Sequence, residues 1–182
     1  VEADLNETVG DVVELMGSRA VQQKVQLGCD LDPNIPPASF DPDAIHRAVL
    51  NLVTNAIDAV SGELSGEADF DTDAEAHAQS SDPPKVFVQT RFESEAGWTI
   101  DVVDNGPGVS AEDREKIFSL FESSKGMRGT GLGLPVCAKI MREHGGEIQY
   151  VDPGIESGTC FRLRLPPSGT GGTDAATGET IS

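Results

Sequence analysis

Two glycine clusters, Asp104-Asn105-Gly106-Pro107-Gly108 and Gly129-Thr130-Gly131-Leu132-Gly133-Leu134, follow a helix-like stretch that carries Asn51 and Asn55. Either cluster alone marks only a turn in which the backbone needs positive φ. Their order constrains the chain far more. A helix bearing two amides comes first, then a strand that ends on a carboxylate and a glycine turn, then a glycine loop that opens another helix.

Asn51 and Asn55 are four residues apart, so on a helix both amides leave one face, a turn apart. Two neutral oxygen ligands on one wall suit a hard cation that keeps several waters and binds phosphates, which describes magnesium better than zinc or calcium. Asp104 ends the run Trp98-Thr99-Ile100-Asp101-Val102-Val103, placing it at a strand end. A buried carboxylate there accepts a hydrogen bond from an exocyclic amine such as that of adenine. Gly106 and Gly108 let the backbone turn and approach a flat ring with no Cβ in the way. The second cluster leads into a helix through Met141, whose first turn offers unpaired N–H groups and the positive dipole end to a polyphosphate. The three elements together imply a nucleotide.

Periodicity supplies the architecture. Leu5, Val9, Val12, Val13 and Met16 repeat at helical spacing, and Val25, Leu27, Cys29 and Leu31 alternate as in a half-buried strand. Asp41-Pro42 reads as N-cap and first position of a helix whose apolar face runs through Ile45, Val49, Leu52, Val53, Ala56 and Val60. Strands are expected at Lys85 to Phe92, Trp98 to Val103, Glu147 to Val151 and Thr159 to Leu165. Ser110 and Asp113 resemble a capping box for a short helix to Ile117. A further helix runs to His144. The result is an α+β chain: a mixed five-stranded sheet with three main helices on one face.

At 182 residues and 37% hydrophobic content the chain can bury one core. No run is long enough to cross a bilayer, and the N-terminus lacks a signal-peptide pattern. The expected setting is cytoplasmic, with a parent protein free to be membrane-anchored. Cys29, Cys137 and Cys160 lack metal-ligand spacing and fall in apolar segments, so they read as buried free thiols. The formal charge of −18 excludes nucleic acid as a partner, since phosphate neutralisation needs a basic face. Much of the acidity lies in Ser61 to Pro84, which holds no lysine or arginine and reads as a flexible insertion. Residues 167–182, rich in Gly, Thr and Ser, read as a flexible tail. Among the histidines, His46 is solvated or beside the site, His77 is solvated in the acidic stretch, and His144 fits a helix's last turn as a favourable cation.

The motifs also resemble a known family. Asn51-Leu52-Val53-Thr54-Asn55-Ala56 resembles the N box of histidine kinase ATP-binding domains, which share a superfamily with gyrase, a heat-shock chaperone and the mismatch-repair ATPases. Asp104 to Gly108 matches its first glycine box, Ile117-Phe118-Ser119-Leu120-Phe121 its F box and Gly129 to Gly133 its second glycine box. Ser157-Gly158-Thr159 resembles its final glycine motif. The agreement in order and spacing runs from about residue 5 to residue 166.

This resemblance implies a Bergerat-type two-layer α/β sandwich over residues 1–166, its sheet mostly antiparallel. It implies ATP and Mg2+ as cofactors. Asn55 would be the metal ligand, helped by Asn51. Asp104 would bind the adenine amino group, with Gly106, Gly108, Val109 and Thr159 around the base. Gly129, Thr130, Gly131, Leu132 and Gly133 would hold phosphates, and Lys125 and Arg128 would reach them from the lid between the F box and the second glycine box. Asn51, Asn55 and Lys125 form the implied catalytic set. The short lid and the Glu122-Ser123-Ser124-Lys125 string look like the nitrogen-regulation type of sensor kinase.

In hydrolysing relatives the position of Asn51 is usually a glutamate that activates water as general base. An amide cannot do that, so phosphoryl transfer to a positioned acceptor is implied. The acceptor would be a histidine on dimerisation helices of the same kinase, a homodimer, with relay to a response regulator. No histidine of this chain lies in a long amphipathic helix with a hairpin partner. Two alternatives stay open: a protein-serine kinase of the anti-sigma type, and a non-catalytic ATP-sensing module.

Overall fold

The computed structural model describes residues 1–62, 82–122, 133–154 and 157–167, with backbone alone for 118–122. The body of the acidic insertion (63–81), the tail from 168, and the candidates Lys125, Arg128, Gly129, Thr130, Gly131 and Leu132 lie outside the described residues, as do the F-box side chains from Phe118 onward.

A short strand β1 (Glu2–Ala3) precedes helix α1 (Leu5–Gln22). The Asp4 carboxylate caps α1, accepting from the N–H groups of Asn6 at 2.8 Å and Glu7 at 3.3 Å. Leu5, Val9, Val12, Met16 and Ala20 form its buried stripe. Strands β2 (Gln26–Leu31) and β3 (Ala38–Ser39) lead to α2 (Pro42–Ser61), the central helix. Asp41 caps α2 as its sequence predicts, accepting from Asp43 N at 3.0 Å and Ala44 N at 3.3 Å. Gly62 ends it in the left-handed region at φ 78°. Strands β4 (Lys85–Glu93) and β5 (Gly97–Asp104), helices α3 (Ala111–Glu122) and α4 (Leu134–Glu143), and strands β6 (Glu147–Val151) and β7 (Thr159–Leu165) complete the chain.

The main sheet runs β2-β4-β5-β7-β6, with β2 and β4 parallel and every other neighbour antiparallel. Register places Val86, Val88, Ile100, Val102, Leu163 and Ile148 on one face, all buried under the helices. Helix α2 packs against α1, α4, β4 and β5, while α4 also reaches β6 and β7. The two-layer α+β expectation holds. The Ser110–Asp113 cap is present, with Asp113 N–H donating to Ser110 Oγ at 3.1 Å, but α3 continues to Glu122, past the expected end at Ile117. The β1–β3 ribbon was not foreseen, because two residues per strand carry no readable alternation.

One expectation needs correction. Cys29 is exposed, whereas Cys137 and Cys160 are buried free thiols. Cys29 lies on β2, which among the described strands pairs with β4 alone, so its alternation is that of a sheet edge and not of the interior. His144 is the C-terminal cap of α4, at the helix end where the sequence places it: Asp41 N–H donates to its Nε2 at 3.0 Å, and its Nδ1 lies 2.7 Å from the Ile140 carbonyl. That side chain ties the end of α4 to the start of α2. Asp58, whose direction the sequence left open, takes a 2.7 Å ion pair with Arg19 across α1 and α2.

Candidate functional site

Asp104 is the last residue of β5 and faces the helix layer, opposite Val86 on β4 and Thr159 on β7. It is 6% exposed. Gly106 N–H donates to its Oδ1 at 2.9 Å, and the backbone N–H of Thr159 supplies a second hydrogen bond. Burial is the largest influence and pushes the carboxyl up to about 6; the two N–H donors oppose that shift. The group therefore crosses between carboxylic acid and carboxylate just below neutrality, and ionised it is a strong acceptor for an amino group.

The glycine turn is built around that carboxylate. A Cβ on Gly106 would stand 2.9 Å from Asp104 Oδ1 and 3.3 Å from the Val60 side chain, so only glycine lets the turn close against both. Gly108 needs its own glycine for a different reason, a φ of +78° with the Gly158 carbonyl 3.1 Å from where a Cβ would be. Thr159 is 7% exposed, Val109 half-buried. Asn105, the second residue of this motif, points elsewhere: its amide accepts from Lys85 N–H at 2.7 Å and donates to Pro83 O at 2.9 Å, fixing the start of β4.

The opposite wall comes from α2 and α4. Asn51 and Asn55 are both half-buried on α2. Ala59, four residues beyond Asn55, presents its carbonyl 3.7 Å from the ideal Gly106 Cβ, so the row of α2 that carries the amides leads to the glycine turn. Gly133, which opens α4, lies directly on Asn51: a Cβ there would meet Asn51 Cβ at 2.4 Å and Cγ at 2.6 Å. Cys137, one turn further along α4, donates its thiol to Ala48 O at 3.3 Å. Burial pushes that thiol up to about 12 despite an opposing hydrogen bond from the Asn51 side chain. This Asn51–Cys137–Gly133 packing has no signature in the sequence, since nothing in it sets the phase of α4 against α2.

The Asn55 side-chain amide takes no hydrogen-bond partner among the described residues. The described residues hold no cluster of three or more His, Cys, Asp or Glu side chains able to bind a metal. A cation here would depend on amide oxygens and on its own waters or phosphates. Beside the glycine turn lies a polar recess of about 250 Å³, lined by Gly108, Val109, Arg114, Tyr150 and Ser157 among others, with Arg114 stacked 4.7 Å over the Tyr150 ring. It is smaller than the roughly 300–1,000 Å³ of ordinary small-molecule pockets, and neither asparagine nor Asp104 lines it.

A buried strand-end carboxylate, a glycine turn folded onto it and an amide-bearing helix alongside are brought together in this two-layer fold. The chain belongs to the family of histidine kinase-, DNA gyrase B- and HSP90-like ATPases, whose pattern matches residues 40–169. It is 32% identical over 163 residues to the sensor histidine kinase ZraS of Escherichia coli K12, a match covering 90% of this chain and 30% of that protein. It is 30% identical over 184 residues to the nitrogen regulation protein NtrY of Azorhizobium caulinodans, covering 97% of this chain and 21% of that one. The chain thus spans about a third or less of these relatives. Among solved structures, the catalytic domain of histidine kinase ThkA superposes with a TM-score of 0.69 at 27% identity, covering 91% of this chain and 96% of that domain. The fold is that of a histidine kinase catalytic domain. No helix among the described residues is long and apolar enough to cross a membrane.

Proposed function

We propose that residues 1–166 form the ATP-binding catalytic domain of a two-component sensor histidine kinase. The domain transfers the γ-phosphoryl group of ATP to a histidine on dimerisation helices of the parent protein. The observation that carries this reading is Asp104, a buried carboxylate at a strand end facing an amide-bearing helix, within a chain of this family. In the transfer, the bond from the γ-phosphorus to the β,γ-bridging oxygen breaks, ADP leaves with that electron pair, and a phosphorus–nitrogen bond forms to the acceptor imidazole. Catalysis of this kind is mostly alignment and charge stabilisation.

Asp104 accepts the adenine amino group, and Gly106, Gly108, Val109 and Thr159 shape the pocket of the base. Gly129, Thr130, Gly131, Leu132 and Gly133 hold the phosphates, with Lys125 and Arg128 as their cationic contacts. The uncommitted Asn55 amide, aided by Asn51, fits a magnesium ion, which when bound would neutralise phosphate charge. Asn51 carries no proton-accepting group, which favours a positioned histidine over water as acceptor. A response regulator receives the phosphoryl group, consistent with the fold likeness to histidine kinase ThkA solved with its response regulator TrrA, at a TM-score of 0.66. The parent is a homodimer held in the cytoplasm or at the membrane.

The test supplies this chain with ATP labelled at the γ-phosphate and, in trans, the dimerisation helices of its parent. Acid-labile, base-stable label on those helices is expected, and its loss when their histidine is replaced identifies the acceptor. Release of inorganic phosphate with no labelled helix would contradict the reading.

A further inference from the structure

The connection between β6 and β7 reaches back onto the glycine turn through one side chain. Ser157 Oγ donates to the Gly106 carbonyl at 2.5 Å, a contact between residues 51 apart in sequence. The same Gly106 peptide unit's neighbour on the other side, the Gly106 N–H, donates to Asp104 Oδ1 at 2.9 Å. Two residues after Ser157, Thr159 N–H donates to the same carboxylate, and Thr159 is the register partner of Asp104. Between them, Gly158 lies against Gly108. These links close a ring that runs from Asp104 to Gly106, across to Ser157, and back through Thr159 to Asp104.

Glycine is the least restrained residue in the chain, and Gly106 sits in the ring with no side chain to hold its conformation. Its orientation is set by what its N–H and C=O are bonded to. The N–H is committed to Asp104; the carbonyl is committed to Ser157. Without the hydroxyl the Gly106 carbonyl loses its partner, and the Gly106 N–H, which orients one Asp104 carboxylate oxygen and favours its ionised form, is held less firmly. We infer that Ser157 is a positioning residue for nucleobase choice: its hydroxyl, acting through Gly106, fixes the carboxylate with which Asp104 selects an amino-bearing base over a carbonyl-bearing one. The base is adenine-like, presenting a donor where guanine presents an acceptor. This rests on the proposed role of Asp104.

The experiment compares the unmodified chain with Ser157→Ala and Ser157→Thr, using non-hydrolysable ATP and GTP analogues competing with a fluorescent nucleotide, at pH 7.5 (roughly 1.5 units above the Asp104 carboxyl). In Ser157→Ala the ATP-over-GTP ratio falls about 3- to 10-fold, as expected for one lost hydrogen bond, with thermal unfolding little changed. Ser157→Thr retains the hydroxyl and restores the ratio. In the nucleotide-free chain, carbon NMR of the Asp104 carboxyl shows its titration midpoint moving upward in Ser157→Ala and not in Ser157→Thr. An unmodified chain that binds ATP and GTP equally overturns the role of Asp104 and this inference with it. A chain that prefers ATP, and keeps the same preference and the same Asp104 midpoint in Ser157→Ala, overturns the role of Ser157 alone.

Discussion

The two ends of the site are held by different forces. At the Asp104 end, the carboxylate, the Gly106 peptide, the Ser157 hydroxyl and Thr159 are joined by hydrogen bonds around a buried carboxyl. At the α2–α4 wall, Asn51 is seated by close packing against Gly133, and Asn55 is uncommitted. The polar end is preorganised for one ligand chemistry and carries a desolvation cost while empty. The packed wall carries an amide that, under the proposed function, would find its partners in the ligand. Under the proposed function, a site divided in this way would read the base with fixed geometry and leave the phosphate end to adjust to metal and acceptor.

The largest expected effect breaks the wall. Asn55→Ala should lower magnesium-dependent transfer by about 100-fold or more, as removing a group aligned on the transferred phosphoryl does, with little change in fold. Labelled-phosphate assays with circular dichroism alongside would check it, and unchanged transfer would remove Asn55 from the site.

Next comes the polar end, where function and stability should move in opposite directions. Burial raises the Asp104 carboxyl to about 6, so the folded state holds its proton more tightly than the unfolded chain does. The benefit to folding is complete below the ordinary carboxyl value of 3.8 and is lost as pH rises through about 6. At pH 7.5 the empty fold bears the cost of a buried charge. Asp104→Asn should therefore stabilise the nucleotide-free chain by about 1–3 kcal/mol at pH 7.5 and by nearly nothing at pH 4. Denaturant titrations at both pH values test this. In the same variant the preference for ATP over GTP should collapse. In the unmodified chain, ATP affinity should fall as pH drops through about 6, because protonation removes the acceptor.

A smaller effect sharpens the contrast. Gly133→Ala places a methyl group 2.4 Å from Asn51 Cβ, so α4 must shift or Asn51 must turn. A loss of about 1–3 kcal/mol in unfolding free energy is expected, with weaker nucleotide binding and unaltered base preference. A changed ATP-over-GTP ratio would show that the two ends are coupled. The smallest effect concerns the thiols. Cys137 and Cys160 are both buried, their thiols pushed up to about 12, so the native chain should react with a thiol reagent at Cys29 alone.

Much of this arrangement is legible in the sequence, for identifiable reasons. Long amphipathic repeats and two aspartate caps define α1 and α2, and β-branched and aromatic runs mark β4 and β5. Asp104 is recognisable because an apolar run ends on it and glycines follow. What escapes is contact across elements. The Ser157–Gly106 bond joins positions 51 apart, and the seating of Asn51 by Gly133 depends on how α4 is rotated, neither of which has a local signature. The exposure of Cys29 escaped for a related reason: alternation shows which way a residue points but not whether its strand lies at an edge.

The most direct test of the account is calorimetric titration of this chain with a non-hydrolysable ATP analogue and its GTP counterpart, each with and without magnesium. The account predicts binding that strengthens with magnesium, favours ATP, and loses that preference in Asp104→Asn. Equal binding of the two nucleotides, unchanged by that substitution, would contradict it.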